Sequence, residues 1–174
     1  MDTSQGLKNF FSMKTLALCF LLMILLAQGG EGSNCKIPRS IFLSRFINHQ
    51  IYSLAKMAGE NDFDTVTRFI GQDILENVNK EDRCYVMKEV LNFELKEVLL
   101  TFDKKYHQYM REVLPYLNDL RYKLNRCTLQ GNPQTVKTII DNLRTKVDKL
   151  GSHAVIKAMS EMDLMLLYLQ KFCS

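Results

Sequence analysis

Five cysteines and three histidines are the residues of this 174-residue chain best suited to covalent or metal chemistry. A catalytic thiol needs an imidazole base beside it, and His49, His107 and His153 are the only candidates. No two cysteines form a C-x-x-C pair, so the spacing of a zinc site or a redox dithiol is missing. Among carboxylates, Glu161 and Asp163 are two apart, and on a helix they would point about 160° away from each other. They cannot share a proton there. The chain contains no G-x-S-x-G, no H-E-x-x-H, no phosphate-cradling glycine loop and no calcium-loop spacing. His107 and His153 read as solvated or capping residues. No enzyme, metal or cofactor is expected.

Disulfide chemistry is what remains, and the start of the chain says where it would occur. Lys8 and Lys14 precede the apolar run LALCFLLMILLA at 16–27, which is followed by the small residues of QGGEGSN. A basic start, a run too short to span a bilayer and small residues after it are the parts of a secretory signal peptide. Residues 1–29 are expected to form it, with cleavage between 29 and 32, leaving 33–174 as one domain outside the cell. No second run approaches membrane length, so the mature chain is not expected to insert. Cys19 leaves with the signal, and Cys35, Cys84, Cys127 and Cys173 remain as two disulfides. Four cysteines permit three pairings, and spacing does not choose among them. Residues 1–32 carry two charges of each sign, so the formal +4 is unchanged by their loss. That balance, without a run of like charges, does not indicate a nucleic-acid footprint, and no nucleic-acid partner is expected.

The elements that must position these cysteines are helices. Leu43, Ile47, Ile51, Leu54 and Ala58 recur at helical spacing and predict a first amphipathic helix, ended by GENDFD. A short second helix is predicted over 65–75 with Val66, Ile70 and Ile74 inward. NVNKED connects to a third helix, RCYVMKEVLNFELKEVLL at 83–100, with Asp82 as its N-cap. Its polar residues Lys88, Glu89, Asn92 and Lys96 gather in one sector. Apolar side chains cover most of the remaining girth, interrupted by Glu94 and Glu97. A helix so apolar must be the central rod of a bundle.

Tyr106, Met110, Val113, Leu117, Leu120, Leu124 and Cys127 alternate steps of four and three, a seam for a long fourth helix kinked at Pro115. Asn132 and Pro133 open a fifth helix as N-cap and first-turn proline, and Gly151 ends it. Ser152 then caps a sixth, running to about Phe172. On that helix Val155, Ala158, Met159, Met162, Met165, Leu166, Leu169 and Phe172 form one core arc. The opposite face carries Lys157, Ser160, Glu161, Asp163, Gln170 and Lys171, with Ile156, Leu164, Leu167 and Tyr168 mixed among them. Either loops cover those four apolar residues or they centre a polar-rimmed binding patch. No strand pattern appears, and the fold class is an all-α six-helix bundle with two disulfides.

At this point CYVMKEVLNFELKEVL and KAMSEMDLM (157–165) resemble the signatures of the interleukin-10 family of class II helical cytokines, and within it the interleukin-22 branch. SLAKMA, RFIG, YMREVLPYL and KLG resemble that branch as well, so the likeness runs from about Cys35 to Cys173. The resemblance implies the pairings Cys35–Cys127 and Cys84–Cys173. It implies a secreted monomer that bridges two receptor chains, the specific interleukin-22 receptor alpha chain and the shared interleukin-10 receptor beta chain, to trigger Janus kinase/STAT signalling. Carried over by residue, the alpha-chain surface would use Lys56, Asp62, Thr65, Arg68, Lys157 and Glu161, with Leu167 beside them. The beta-chain surface would use Tyr109 and Glu112, with Phe46, His49 and Gln50 in corresponding positions but different in identity.

Other departures from the family pattern are Val66, where an acidic residue is usual, and Glu94, where an aromatic residue or threonine is. The latter also removes a glycosylation sequon at Asn92, and the chain has none elsewhere. Two rival classes of function have their own requirements: a carrier needs a large internal apolar cavity, and a secreted enzyme needs a cleft of converging titratable groups, for which the sequence offers no candidate set.

Overall fold

The computed structural model describes residues 36–174. The expected signal segment and Cys35 lie outside the described residues. The helices are α1 (Arg39–Phe42), α2 (Arg45–Gly59), α3 (Arg83–Phe93), α4 (His107–Asn125), α5 (Pro133–Leu150), α6 (Ala154–Ser160) and α7 (Met162–Cys173). A wider π turn, Glu94–Val98, continues α3. No strand occurs among the described residues, and the architecture is the all-α bundle that periodicity predicts.

Local chemistry explains most boundaries. α2 begins after Ser44, whose hydroxyl accepts from the Ile47 N–H at 3.5 Å, and it buries Ile51, Leu54, Ala55 and Ala58. Leu43, predicted as the first inward residue, precedes that cap and is 60% exposed, while Phe42 occupies the core at 1%. The cap resets the helical phase, so the periodicity cannot be extended back through it. α5 begins as predicted: Asn132 Oδ1 accepts from the N–H groups of Gln134 and Thr135 at 2.9 and 3.4 Å, with Pro133 next. Gly151 ends it with φ of 56°, a left-handed conformation that costs glycine little. Ser152 makes no cap; it lies in the 3₁₀ turn Gly151–His153, and neither that turn nor α6 has a side-chain cap. Asp82 likewise precedes α3 without a side-chain bond. α4 runs through Pro115 unbroken.

α3 is the central rod. It packs against α7, α4 and α5 and buries Cys84, Val86, Met87, Val90, Leu91 and Phe93. Asn92, expected in the polar sector, is buried as well, because Asn125 of α4 meets it amide to amide at 3.3 and 3.4 Å. The expected Cys84–Cys173 disulfide joins the rod to the end of α7, with Cα atoms 5.0 Å apart. A cross-link closing so long a loop stabilises a small domain by about 2–4 kcal/mol. Those two sulfurs are consumed and cannot serve as nucleophiles. The other expected pairing includes Cys35 and so falls outside the described residues.

α2 packs on α4, α6 and α7. Its direction relative to α4 follows from two bonds. The Tyr116 hydroxyl donates to the Ile41 carbonyl ahead of α2, and Lys105, ahead of α4, donates to Asn61 just past the end of α2. The two helices are antiparallel.

Two predicted elements differ. No α-helix spans 65–75; only the 3₁₀ turn Gln72–Leu75 forms. Ile70 and Ile74 are buried as predicted, but Val66 is 85% exposed. The single sixth helix is broken at Glu161 (φ −107°, ψ 11°) into α6 and α7. Both differences have one cause, set out below.

Candidate functional site

The segment from Asp62 to Ile70 is fastened to α6 and the break after it by side chains that periodicity had placed on the face opposite the core. Lys157 and Glu161 are 1% and 2% exposed. The Lys157 ammonium lies 2.6 Å from Asp62 Oδ2 and donates to the carbonyl of Asp64. The Ser160 hydroxyl reaches the same Asp62 oxygen at 3.1 Å. Burying an ammonium is tolerable only when acceptors surround it, and here a carboxylate and a backbone carbonyl do so.

Glu161 makes the second fastening. Its Oε2 accepts from the N–H groups of both Phe69 and Ile70 at 2.7 Å. Those are the donors a helix over 65–75 would have used for its own ladder. Captured by a carboxylate, they are unavailable, and the segment stays irregular. The same side chain sits at the break between α6 and α7, so one residue accounts for both departures from the predicted elements. Burial of Phe69 and Ile70, at 0% and 2%, completes the attachment.

Inside the segment, Asp64 acts as its own scaffold. Its Oδ1 accepts from Val66 and Thr67 N–H at 2.9 and 2.7 Å, and its Oδ2 from the Thr67 hydroxyl at 2.6 Å. This is the pattern of a helix N-cap without the helix. The Thr67 hydroxyl bond foremost, and the two N–H bonds with it, hold the Asp64 carboxyl down at about 2.

Behind Glu161 lies an acid with no partner. Glu94, in the π turn, is 1% exposed and neither carboxyl oxygen has a hydrogen bond; Glu161 Oε1 also lacks one, although Arg68 Nη1 stands 3.6 Å from it. Burial, reinforced by the charge of Glu161, pushes the Glu94 carboxyl well above the usual carboxylate range. Burial also raises Glu161, opposed by the Ile70 and Phe69 N–H groups and by Lys157 and Arg68.

The residues carried over by resemblance therefore divide. Lys157 and Glu161 are interior, and Asp62 keeps only 15% of its side chain exposed. Lys56 and Thr65 are exposed, as are Arg68 and Leu167. Of the second set, Phe46 and His49 are exposed and Gln50 half-buried on α2, while Tyr109 and Glu112 are half-buried on the neighbouring α4. Glu112 pairs with Arg111 at 3.2 Å. The four residues left open on the last helix also divide: Ile156, Leu164 and Tyr168 are half-buried, and only Leu167 stands out at 53%. Sequence reasoning missed Asp64, Ser160 and Phe63. The spacing Asp64-x-x-Thr67 was the available signal, a capping pattern at the head of the presumed second helix.

No cluster of three or more metal-ligating side chains occurs among the described residues. A surface cleft of about 400 Å³ is lined by Asp73, Glu76, Arg83 and Lys171 together with Tyr168 and Phe172. Its charged lining does not suit an apolar cargo.

Residues 35–173 match the family model described as "Interleukin 22 IL-10-related T-cell-derived-inducible factor". The chain is 38% identical over 178 residues to Interleukin-22 of Homo sapiens, covering 99% of each chain. It is 35% identical over 178 residues to Interleukin-22b of Mus musculus, again covering 99% of each. A disulfide-linked helical bundle with this likeness along its whole length is a helical cytokine of the interleukin-10 class. Within that class, the chain belongs to the interleukin-22 family.

Proposed function

We propose that the chain is a secreted cytokine that bridges a specific alpha receptor chain, of the interleukin-22 receptor type, and the shared interleukin-10 receptor beta chain. Joining them outside the cell would activate the Janus kinases and STAT factors attached within. The protein acts as a monomer and performs no reaction; its output is geometry and differential affinity.

One observation supports this reading above the others: the Asp62–Ile70 segment is held in a fixed shape by the buried Lys157–Asp62 and Glu161 contacts. A surface already ordered before binding loses less conformational entropy on docking. In this reading Lys56, Thr65, Arg68 and Leu167 touch the alpha chain, while Asp62, Lys157 and Glu161 hold the loop that presents them. Phe46, His49 and Gln50 of α2, with Tyr109 and Glu112 of α4, form the beta-chain surface.

The test is surface-binding measurement of the purified protein against each receptor ectodomain of the same species, followed by STAT phosphorylation in cells carrying both chains. Binding to the alpha ectodomain, strengthened when the beta ectodomain is added, is the expected result. No binding to the alpha ectodomain rejects the proposal.

A further inference from the structure

Two of the most exposed large apolar side chains among the described residues stand on the loop that the buried Lys157 and Glu161 hold. Phe63 and Val66 are each 85% exposed. Single exposed apolar residues are ordinary, but these two lie three apart on a segment whose backbone is held at Asp64 and Val66. The Asp64 N–H donates to Asp62 Oδ1 at 3.2 Å, and the Val66 N–H itself donates to Asp64 Oδ1. Asp62 is in turn held by Lys157. Buried Lys157 thus helps to fix the backbone that carries a phenylalanine and a valine into water.

Charge around them is one-sided. Residues 56–68 contain three acids, Glu60, Asp62 and Asp64, and two of these are consumed inside the loop. Lys56 and Arg68 remain exposed beside Glu60, and Lys105 is brought alongside by its bond to Asn61 Oδ1 at 2.9 Å. The surface is an apolar pair within a mainly cationic rim.

We infer that Phe63 and Val66 are the anchors of this docking surface and that the partner offers them an apolar socket bordered by carboxylates. This rests on the receptor reading above and adds what the receptor ectodomain must look like where it meets the loop. Anchors held in place before contact are the side chains whose truncation costs most affinity. A carboxylate border adds a salt-dependent association rate.

Phe63→Asn, Val66→Asp and the double variant test this, measured for binding to the alpha ectodomain at low and high salt, with thermal unfolding as a control on the fold. Each single substitution should weaken binding about tenfold or more, chiefly through faster dissociation, and leave the unfolding midpoint within error. Lys56→Glu should slow association, with most of that loss vanishing at high salt. Wild-type binding that both apolar substitutions leave intact overturns the anchors while the receptor reading stands. Absence of wild-type binding overturns the receptor reading and the anchors together. If sedimentation shows a dimer that Val66→Asp dissolves, while receptor binding is unchanged, the occupant is a second copy and the inference fails.

Discussion

Two glutamates of the π turn that continues α3, Glu97 and Glu94, meet charge in opposite ways. Near Glu97 the contact is open to water: Arg144 of α5 forms a two-pronged pair with it at 2.8 and 2.9 Å, both side chains about half exposed. One turn away, Glu94 faces inward toward Glu161 and the loop fastening, where the ammonium of Lys157 is almost fully enclosed. The residue types are the same and the lengths similar. Burial makes the difference: an exposed pair exchanges water for partner at little net gain, whereas an enclosed charge that loses its partner is left uncompensated. The first region decorates the bundle. The second determines the shape of a loop.

Breaking the enclosed side should therefore produce the largest effect. Lys157→Met leaves Asp62 without its counter-charge and is expected to destabilise the domain by about 3–5 kcal/mol, read from the denaturant midpoint. Amide exchange at Phe69 and Ile70 should accelerate with it. If exchange there is unaltered, the loop is held by something else. Adding Asp62→Leu should recover part of the loss, since removing both charges is milder than removing one. On the proposed receptor reading, charge reversal at Lys157 or Glu161 should weaken binding by releasing the loop, and a variant that keeps its exchange protection while losing binding would contradict that route.

Glu94→Leu sharpens the comparison from the other direction. It removes a buried acid without a partner, so a gain of about 1–3 kcal/mol is expected at neutral pH. The pH profile carries a sign. Unfolded, the Glu94 carboxyl titrates near 4.5, and folded it titrates higher, so the native state holds the extra proton. Its contribution is complete below about 4.5 and is lost as pH rises toward the folded value. The variant should flatten that decline, and a profile parallel to wild type rejects a protonated Glu94.

Glu161→Gln keeps an acceptor for the two N–H groups but gives up the charge, for a loss of about 1–2 kcal/mol. Last comes Arg144→Ala in the exposed pair. Its denaturation midpoint should stay within error of wild type at physiological salt; a clear drop would mean that the two regions are not as different as their exposure indicates.

Much of this was legible before any coordinates. Asn132 and Pro133 opened α5 because a cap is a contact between near neighbours, and the apolar girth of 83–100 required neighbours on most sides. The cysteine parity called for disulfides. The readings that failed did so where a residue's fate depended on a partner far along the chain. The donors of Phe69 and Ile70 read as helix until Glu161, 92 and 91 residues later, takes them. Lys157 read as part of an outer face because its two acceptors belong to a different element.

By itself, then, the sequence determined a helical bundle with a central rod, since hydrophobic spacing, caps and turn residues act within a few positions of one another. Only the tertiary structure decided which charges are interior, which loop they hold and which apolar side chains that loop extends into solvent. Spacing along one helix records which residues share a face. It does not record what another segment brings to that face, and a carboxylate and an ammonium can both be buried when each meets its match there.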